Sequence, residues 1–401
     1  MVDVPDQGRR PLVLHVNGRP ADTREALACC SGVGYGHSGM PTSGVIPELA
    51  AGWGPVLELW EGYASDPDIR LAGSSGGVAT ALALHAVEQE GMSGVLHITA
   101  RKDAPHLNET VYSSTREELM AATGSRYAPA SPCERLDLVE AAPSPSVLIG
   151  KPCDIGGAAL ARARRPLLDE KLGLTIAIFC AGTPSTRGTL EMIRAAGVTD
   201  LDAVTGVRYR GNGWPGAAEV RSRTDRHDEN VQSFTYDESW GAILQKHRQW
   251  RCHVCADHTG EMADVAVGDP WYRPTGGDPG RSLVLARTER GRAAVRRAVQ
   301  AGALTLEKVE AGTLPASQMN LLRTRGSVWG RSLVLRTALL PAPRFRGMPA
   351  FRFWWRELSM EAKGQSTIGT FRRIRKKRLG TRALVMPAGR ADDGPPPGDG
   401  D

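Results

Sequence analysis

The chain is expected to be an α/β protein with a mixed, largely parallel sheet core, helices on both faces of the sheet and a cysteine-bearing extension. Three observations lead to this class. Residues 146–150, 154–165 and 174–179 read as a short apolar strand, an Ala-rich helix and a second apolar strand, a unit that makes two parallel strands with a right-handed crossover. Residues 282–286, 288–299 and 304–309 repeat the alternation of strand, helix and strand. Between them a Cys-x-x-Cys pair, Cys252 and Cys255, interrupts the pattern.

The 401 residues, 41% apolar and 23% charged, suit a soluble chain of two or three domains. Seven cysteines, scattered and odd in number, do not form a secreted disulfide framework, and the N-terminus lacks a basic flank followed by an apolar core. A cytoplasmic protein with reduced thiols is expected. No apolar run is long enough to span a bilayer, so any membrane contact would be peripheral. The net charge of +6 is modest, but its excess is concentrated near the end of the chain, notably at Arg372, Arg373, Arg375, Lys376, Lys377 and Arg378. No stable nucleic-acid partner is expected from it.

In chain order, residues 29–36 (Cys-Cys-Ser-Gly-Val-Gly-Tyr-Gly) read as a glycine-rich loop. Residues 71–77 form a small, permissive Gly/Ser loop feeding an Ala- and Leu-rich helix over 78–89, with Gly91 as its stop. Unpaired amides at a helix start favour an anion, so this loop suits a phosphate, although a plain tight turn fits the same residues. Strands follow at 95–99 and 109–113. Thr115 and Glu118 have capping-box spacing for a helix through Ala122. A second small-residue turn, Gly124, Ser125, Arg126 and Tyr127, carries a cation and an aromatic ring. Cys133 reads as an ordinary cysteine. Thr183, Pro184 and Ser185 open a helix through Ala196, closed by Gly197. Residues 209–216 are turn chemistry, 218–234 a polar hairpin, and 391–401 a Pro/Gly/Asp tail expected to be disordered.

The chemistry is expected to centre on four thiols. Parallel strands end at one edge of their sheet, so Cys153 and Cys180, each just past a strand, reach one crevice. Cys252 and Cys255 meet there by local spacing. Four thiolates suit structural zinc or a 4Fe-4S cluster equally on ligand type alone. Single ligands delivered from the mouth of an α/β crevice favour a cluster beside a cofactor. His253 and His258 flank the pair and could join a zinc site, while Glu261, Asp264 and Asp269 could act behind it.

Motifs in fixed order then carry a resemblance. These are Arg70 through Leu82 with its Ala-Gly-Ser-Ser-Gly-Gly core, Gly124-Ser125-Arg126-Tyr127, Gly150-Lys151-Pro152-Cys153-Asp154-Ile155, Phe179-Cys180-Ala181-Gly182-Thr183-Pro184-Ser185, and Cys252-x-x-Cys255-x-Asp257 through Asp269. Together they resemble the coenzyme F-420 hydrogenase/dehydrogenase beta-subunit family, which includes 7-hydroxymethyl chlorophyll reductase-like and divinyl chlorophyllide reductase-like proteins. The resemblance implies an FAD-binding α/β fold with a cluster-binding extension. Candidate FAD contacts are Ser74, Ser75, Gly76, Gly77 and Thr80, with Gly124, Ser125, Arg126 and Tyr127. One 4Fe-4S cluster on Cys153, Cys180, Cys252 and Cys255 is also implied. Family members often carry further Cys-x-x-Cys repeats near the N-terminus, whereas Cys29 and Cys30 stand alone here with Val33 where another ligand could be.

Four regions follow: a degenerate N-terminal segment (1–53), an FAD-binding domain (54–208), a Cys-x-x-Cys and second α/β region (209–331), and a basic, aromatic C-terminal region (332–401). The implied activity is electron passage between a 4Fe-4S cluster, FAD and an external donor, ferredoxin or a reduced deazaflavin coenzyme, to reduce a small molecule. The alternative is a zinc-stabilised binding protein whose basic C-terminal region contacts nucleic acid or an acidic partner. Phe351, Phe353, Trp354 and Trp355 beside the basic run suit an acidic electron carrier or a peripheral membrane contact.

Overall fold

The computed structural model describes residues 2–4, 8–11, 15–16, 19–223, 228–274 and 277–380. The tail expected to be disordered and the tip of the 218–234 hairpin lie outside the described residues. Eight strands form the central sheet: β1 (Glu58–Ala64), β2 (Val95–Ala100), β3 (Asn108–Ser113), β4 (Ser146–Gly150), β5 (Leu172–Ile178), β6 (Val265–Gly268), β7 (Ser282–Ala286) and β8 (Leu304–Lys308). Their order is β8-β1-β7-β6-β5-β4-β2-β3. The middle of the sheet, β2-β4-β5-β6, is parallel, and the flanks are antiparallel. The sheet runs across the division expected at residue 208, with β1 to β5 on one side of it and β6 to β8 on the other.

The two-residue period of a strand sends successive side chains to opposite faces, and the core divides accordingly. Val147, Leu174, Ile176, Val265, Val267 and Val284 enter one layer. Helices α1 (Val78–Glu88) and α3 (Glu289–Gln300) cover it with Leu82, Leu84, Ala294, Val295 and Ala298. Leu148, Leu172, Ala177, Ala266, Leu283 and Leu285 enter the other layer, under α2 (Pro152–Arg162) with Ile155, Ala158 and Ala161. Both faces of the sheet are therefore apolar, as parallel strands require.

A smaller antiparallel sheet, Val204–Arg208, Ala218–Arg223 and Glu229–Phe234, has its own core around Met192, Ile193, Tyr209 and Leu244. Part of the loop expected at 29–36 is a strand. Gly34–Gly36 pairs in parallel with Arg344–Arg346, and a Cβ at Gly34 or Gly36 would collide with that backbone. The glycines there serve close backbone approach, a signal the sequence shares with loops. Helices α4 (Leu321–Thr337), α5 (Phe351–Glu357) and α6 (Met360–Lys376) complete the chain's described part, with α4 packed on both others.

Candidate functional site

The four cysteines gather at the edge where the parallel strands end. After β4, Lys151 caps α2: its backbone N–H donates to Asp154 Oδ2 (3.0 Å) and its Nζ pairs with the same carboxylate at 2.6 Å. Pro152 occupies the first turn, where no N–H is needed, and Cys153 follows it. After β5, the Cys180 N–H donates to His258 O and His258 Nδ1–H donates to Cys180 O, both at 2.9 Å. This exchange draws the segment after the Cys-x-x-Cys pair to the same edge. The chain then returns beneath β5, where Gly260 lies against Ala177 and Asp264 bonds Thr175, before entering β6. Close approach at Gly182 (φ 121°) lets its neighbour Thr183 donate an N–H to Cys252 Sγ at 3.3 Å. A Cβ at Gly182 would stand 3.2 Å from that of Cys252.

The electrostatics of this corner are those of crowded thiols. Burial, then the Asp154 carboxylate, raises the Cys153 thiol to about 12, and burial, then Cys252, raises Cys180 to about 11. Cys255 is pushed well above its usual value by burial, then by Cys153, Asp257 and Cys252. Burial opposes charge on Arg251, yet thiolates at Cys153, Cys252, Cys255 and Cys30 raise its pKa. Burial likewise opposes charge on Lys151, and Asp154, Cys153 and Cys180 outweigh it. Two cations are thus built in among four thiols, which suits a metal group that binds thiolates and releases their protons. His258 Nε2 is buried without a hydrogen-bond partner. Among the described residues, no group of three or more His, Cys, Asp or Glu is gathered tightly enough for a single metal ion.

Of the remaining cysteines, Cys133 donates to Asp154 O at 3.1 Å and burial raises its pKa. Cys29 packs into the second core layer. Cys30 lies beside Gly32, near Arg251. The 34–36 strand clamps the turn after Cys255. Tyr35 Oη donates to Asp257 Oδ2 at 3.2 Å and His37 Nε2 to Glu261 Oε2 at 2.7 Å. Burial, then Arg287, holds His37 neutral by lowering its pKa to about 4.

A cleft of about 220 Å³ opens beside this corner and shares Cys180 and Lys151 with it. Thr80, Gly124, Ser125, Arg126 and Tyr127 line it, together with Tyr236, Trp240 and Trp271, which the sequence did not single out. Arg126 is held by carbonyls rather than carboxylates, donating to Val207 O and Pro105 O, each at 2.8 Å. Behind Tyr127, buried Arg210 pairs with Asp269 at 2.7 Å, and Trp214 Nε1 donates to the same carboxylate at 2.8 Å. Asp269 is therefore a structural anchor for the wall. The aromatic residues come from segments far apart in the chain, and no spacing connects them.

Ser74, Ser75, Gly76 and Gly77 do not line the cleft. Gly76 N–H donates to Ser282 Oγ (2.9 Å), Ser75 Oγ donates to Arg281 O (2.5 Å), and Ser74 Oγ accepts the Ser125 N–H (2.6 Å). Gly77, at φ 72°, starts α1 where a Cβ would stand 2.5 Å from Ile69 O. An adjoining pocket of about 440 Å³ shares residues 122–126 with the cleft and is lined by Arg101, Lys102, Arg208 and Arg221. Arg221 pairs with Glu219 and Arg101 with Asp103. Arg208 donates to the Asn212 amide oxygen, a neutral acceptor, at 3.1 Å.

Two family models described for the coenzyme F420 hydrogenase/dehydrogenase beta subunit match this chain, that of its N-terminal part over residues 59–136 and that of its C terminus over residues 146–312. The coenzyme F420 hydrogenase subunit beta of Methanococcus voltae is 25% identical over 257 residues, 62% of this chain and 82% of that one. Its counterpart from Methanothermobacter thermautotrophicus is 24% identical over 274 residues, 64% of this chain and 86% of that one. A chain of the F420-reducing NiFe hydrogenase complex from Methanosarcina barkeri has the same fold, with a TM-score of 0.54 at 22% identity, covering 69% of this chain and 93% of that chain. The two family matches follow one another in order across the central sheet and the cysteine corner, and the chain belongs to the coenzyme F420 hydrogenase/dehydrogenase beta-subunit family.

Proposed function

We propose that this protein is an iron–sulfur flavoprotein oxidoreductase, holding one 4Fe-4S cluster on Cys153, Cys180, Cys252 and Cys255 and FAD in the adjoining cleft. The observation that carries this reading is the shared wall: Cys180 and Lys151 belong both to the thiol corner and to the cleft. When bound, the cluster supplies single-electron transfer and the flavin supplies paired, hydride-type transfer. The protein's part is placement and charge. Lys151, kept protonated by Asp154, puts a positive charge between corner and cleft, where it favours negative charge on a ring seated there. Tyr127, Tyr236 and Trp271, all half-buried, offer flat apolar walls for a ring system.

The FAD diphosphate is assigned to the pocket of Lys102 and Arg208 rather than to the 74–77 loop, because that pocket adjoins the cleft and carries the cations, whereas none of residues 74–77 lines either. Relatives named for coenzyme F420 favour a reduced deazaflavin coenzyme as donor over ferredoxin, with a small molecule as acceptor. The zinc-held binding module is the weaker reading, because it leaves the cleft that shares Cys180 and Lys151 with the thiol corner without a role.

Protein purified without oxygen should be brown-yellow, release FAD on denaturation and contain about four irons and four sulfides per chain. Cys153→Ala and Cys252→Ala should each abolish the cluster, and Cys133→Ala and Cys30→Ala should leave iron intact. Colourless protein with stoichiometric zinc would overturn the reading.

A further inference from the structure

We propose that α5 and α6 form a seat for an anionic lipid surface. Five large apolar side chains protrude from this pair of helices: Phe351, Trp355, Met360, Ile368 and Phe371 are 51%, 64%, 80%, 63% and 57% exposed. Their outward direction is set by the packing of the opposite face. Phe353 is buried, Ser366 and Thr370 of α6 are buried, and Trp354 Nε1 donates to Ser366 Oγ at 3.0 Å. Gly326 and Gly330 of α4 bring the helices close. The helices are thus fixed, and the apolar stripe is left outside by the fold.

Exposed cations lie on the same two helices: Arg352 and Arg356 on α5, and Arg372, Arg375 and Lys376 on α6. Only Glu357 and Glu361 offset them within these two helices. Ile368, Phe371 and Arg375 follow helical spacing, so apolar and basic groups share one side. Scattered surface hydrophobes are ordinary. Bulky apolar groups, a tryptophan and cations exposed together on a pair of adjoining helices are the pattern of an interfacial element, with side chains in the headgroup boundary and cations at the phosphates. An acidic protein would pair with the same cations, and the polyglutamate arm of the test separates it from a lipid surface. Among the described residues, no helix is long and apolar enough to cross a membrane, so the pair would lie along the surface. The family matches end at residue 312, and the seat lies beyond them.

The test is sedimentation of the full-length, cofactor-loaded protein with vesicles of phosphatidylcholine alone and of phosphatidylcholine mixed with phosphatidylglycerol. The expected result is binding to the mixed vesicles that falls with salt, and at least about tenfold weaker binding to the neutral ones. Ile368→Ser with Phe371→Ser, both at exposed positions, should weaken binding about tenfold with the far-ultraviolet circular dichroism unchanged. Arg372→Gln with Arg375→Gln and Lys376→Gln should weaken it and flatten the salt dependence. A chain ended after Gly380 should still bind. Loss of binding in that shortened chain, or binding indifferent to the Ile368 and Phe371 changes, would overturn the proposal. Capture by soluble polyglutamate with no vesicle binding would overturn it in favour of an acidic protein partner.

Discussion

The 74–77 loop and the 124–127 turn both carry glycine and serine and touch through the Ser125 N–H and Ser74 Oγ, yet they serve different ends. In the first, the Gly76 N–H and the Ser75 hydroxyl donate inside the protein, to Ser282 and Arg281, and Gly76 O accepts from Ala64 N at 2.7 Å. In the second, all four residues line the cleft. Glycine marks a place where something comes close to the backbone. Whether that is another strand or a ligand depends on what the rest of the fold brings there.

The comparison is broken most directly at Gly77. Gly77→Ala puts a Cβ at φ 72° against Ile69 O, and stability should fall by about 3 kcal/mol in urea unfolding. An unchanged midpoint, with flavin loss instead, would mean that the loop meets a ligand after all. A middle-sized effect is expected at the basic pocket behind the second turn. Lys102→Ser with Arg208→Ser should weaken FAD binding roughly tenfold or more and reduce its salt dependence, with little change in unfolding, as read by fluorescence titration at two ionic strengths. Unaltered affinity would remove the diphosphate from that pocket. The smallest effect concerns the link itself. Ser74→Ala removes the acceptor of the Ser125 N–H and should cost about 1 kcal/mol of stability, with flavin affinity within about twofold. A larger loss of flavin would show that the first loop positions the second.

Much of the framework was legible because its signals are local. The start of α1 at Val78, the capping box of Thr115 and Glu118, and the strand–helix–strand unit from Ser146 to Ile178 all follow patterns within a few turns of chain. The meeting of Cys153 and Cys180 was legible for a less local reason, since parallel strands must end at one edge. The 34–36 strand was not, because its partner is at 344–346 and its glycines look the same in a loop. The aromatic wall was equally hidden. Tyr236 and Trp271 reach the cleft from opposite sides of the Cys-x-x-Cys pair, and no periodicity records such a meeting.

Sequence by itself determined the element types, the handed crossover that aims two cysteines at one crevice, and the softness of the four sulfur side chains. These depend on backbone geometry and side-chain chemistry, which act over short stretches. Tertiary structure alone decided that Gly76 and Gly77 face protein, that the sheet crosses residue 208, and that Cys180 and Lys151 join the thiol corner to an aromatic cleft. It also decided which side of α5 and α6 stays outside. Each of these outcomes depends on which distant segment reaches a surface first and consumes its hydrogen bonds and apolar area, and composition and spacing do not encode that contact.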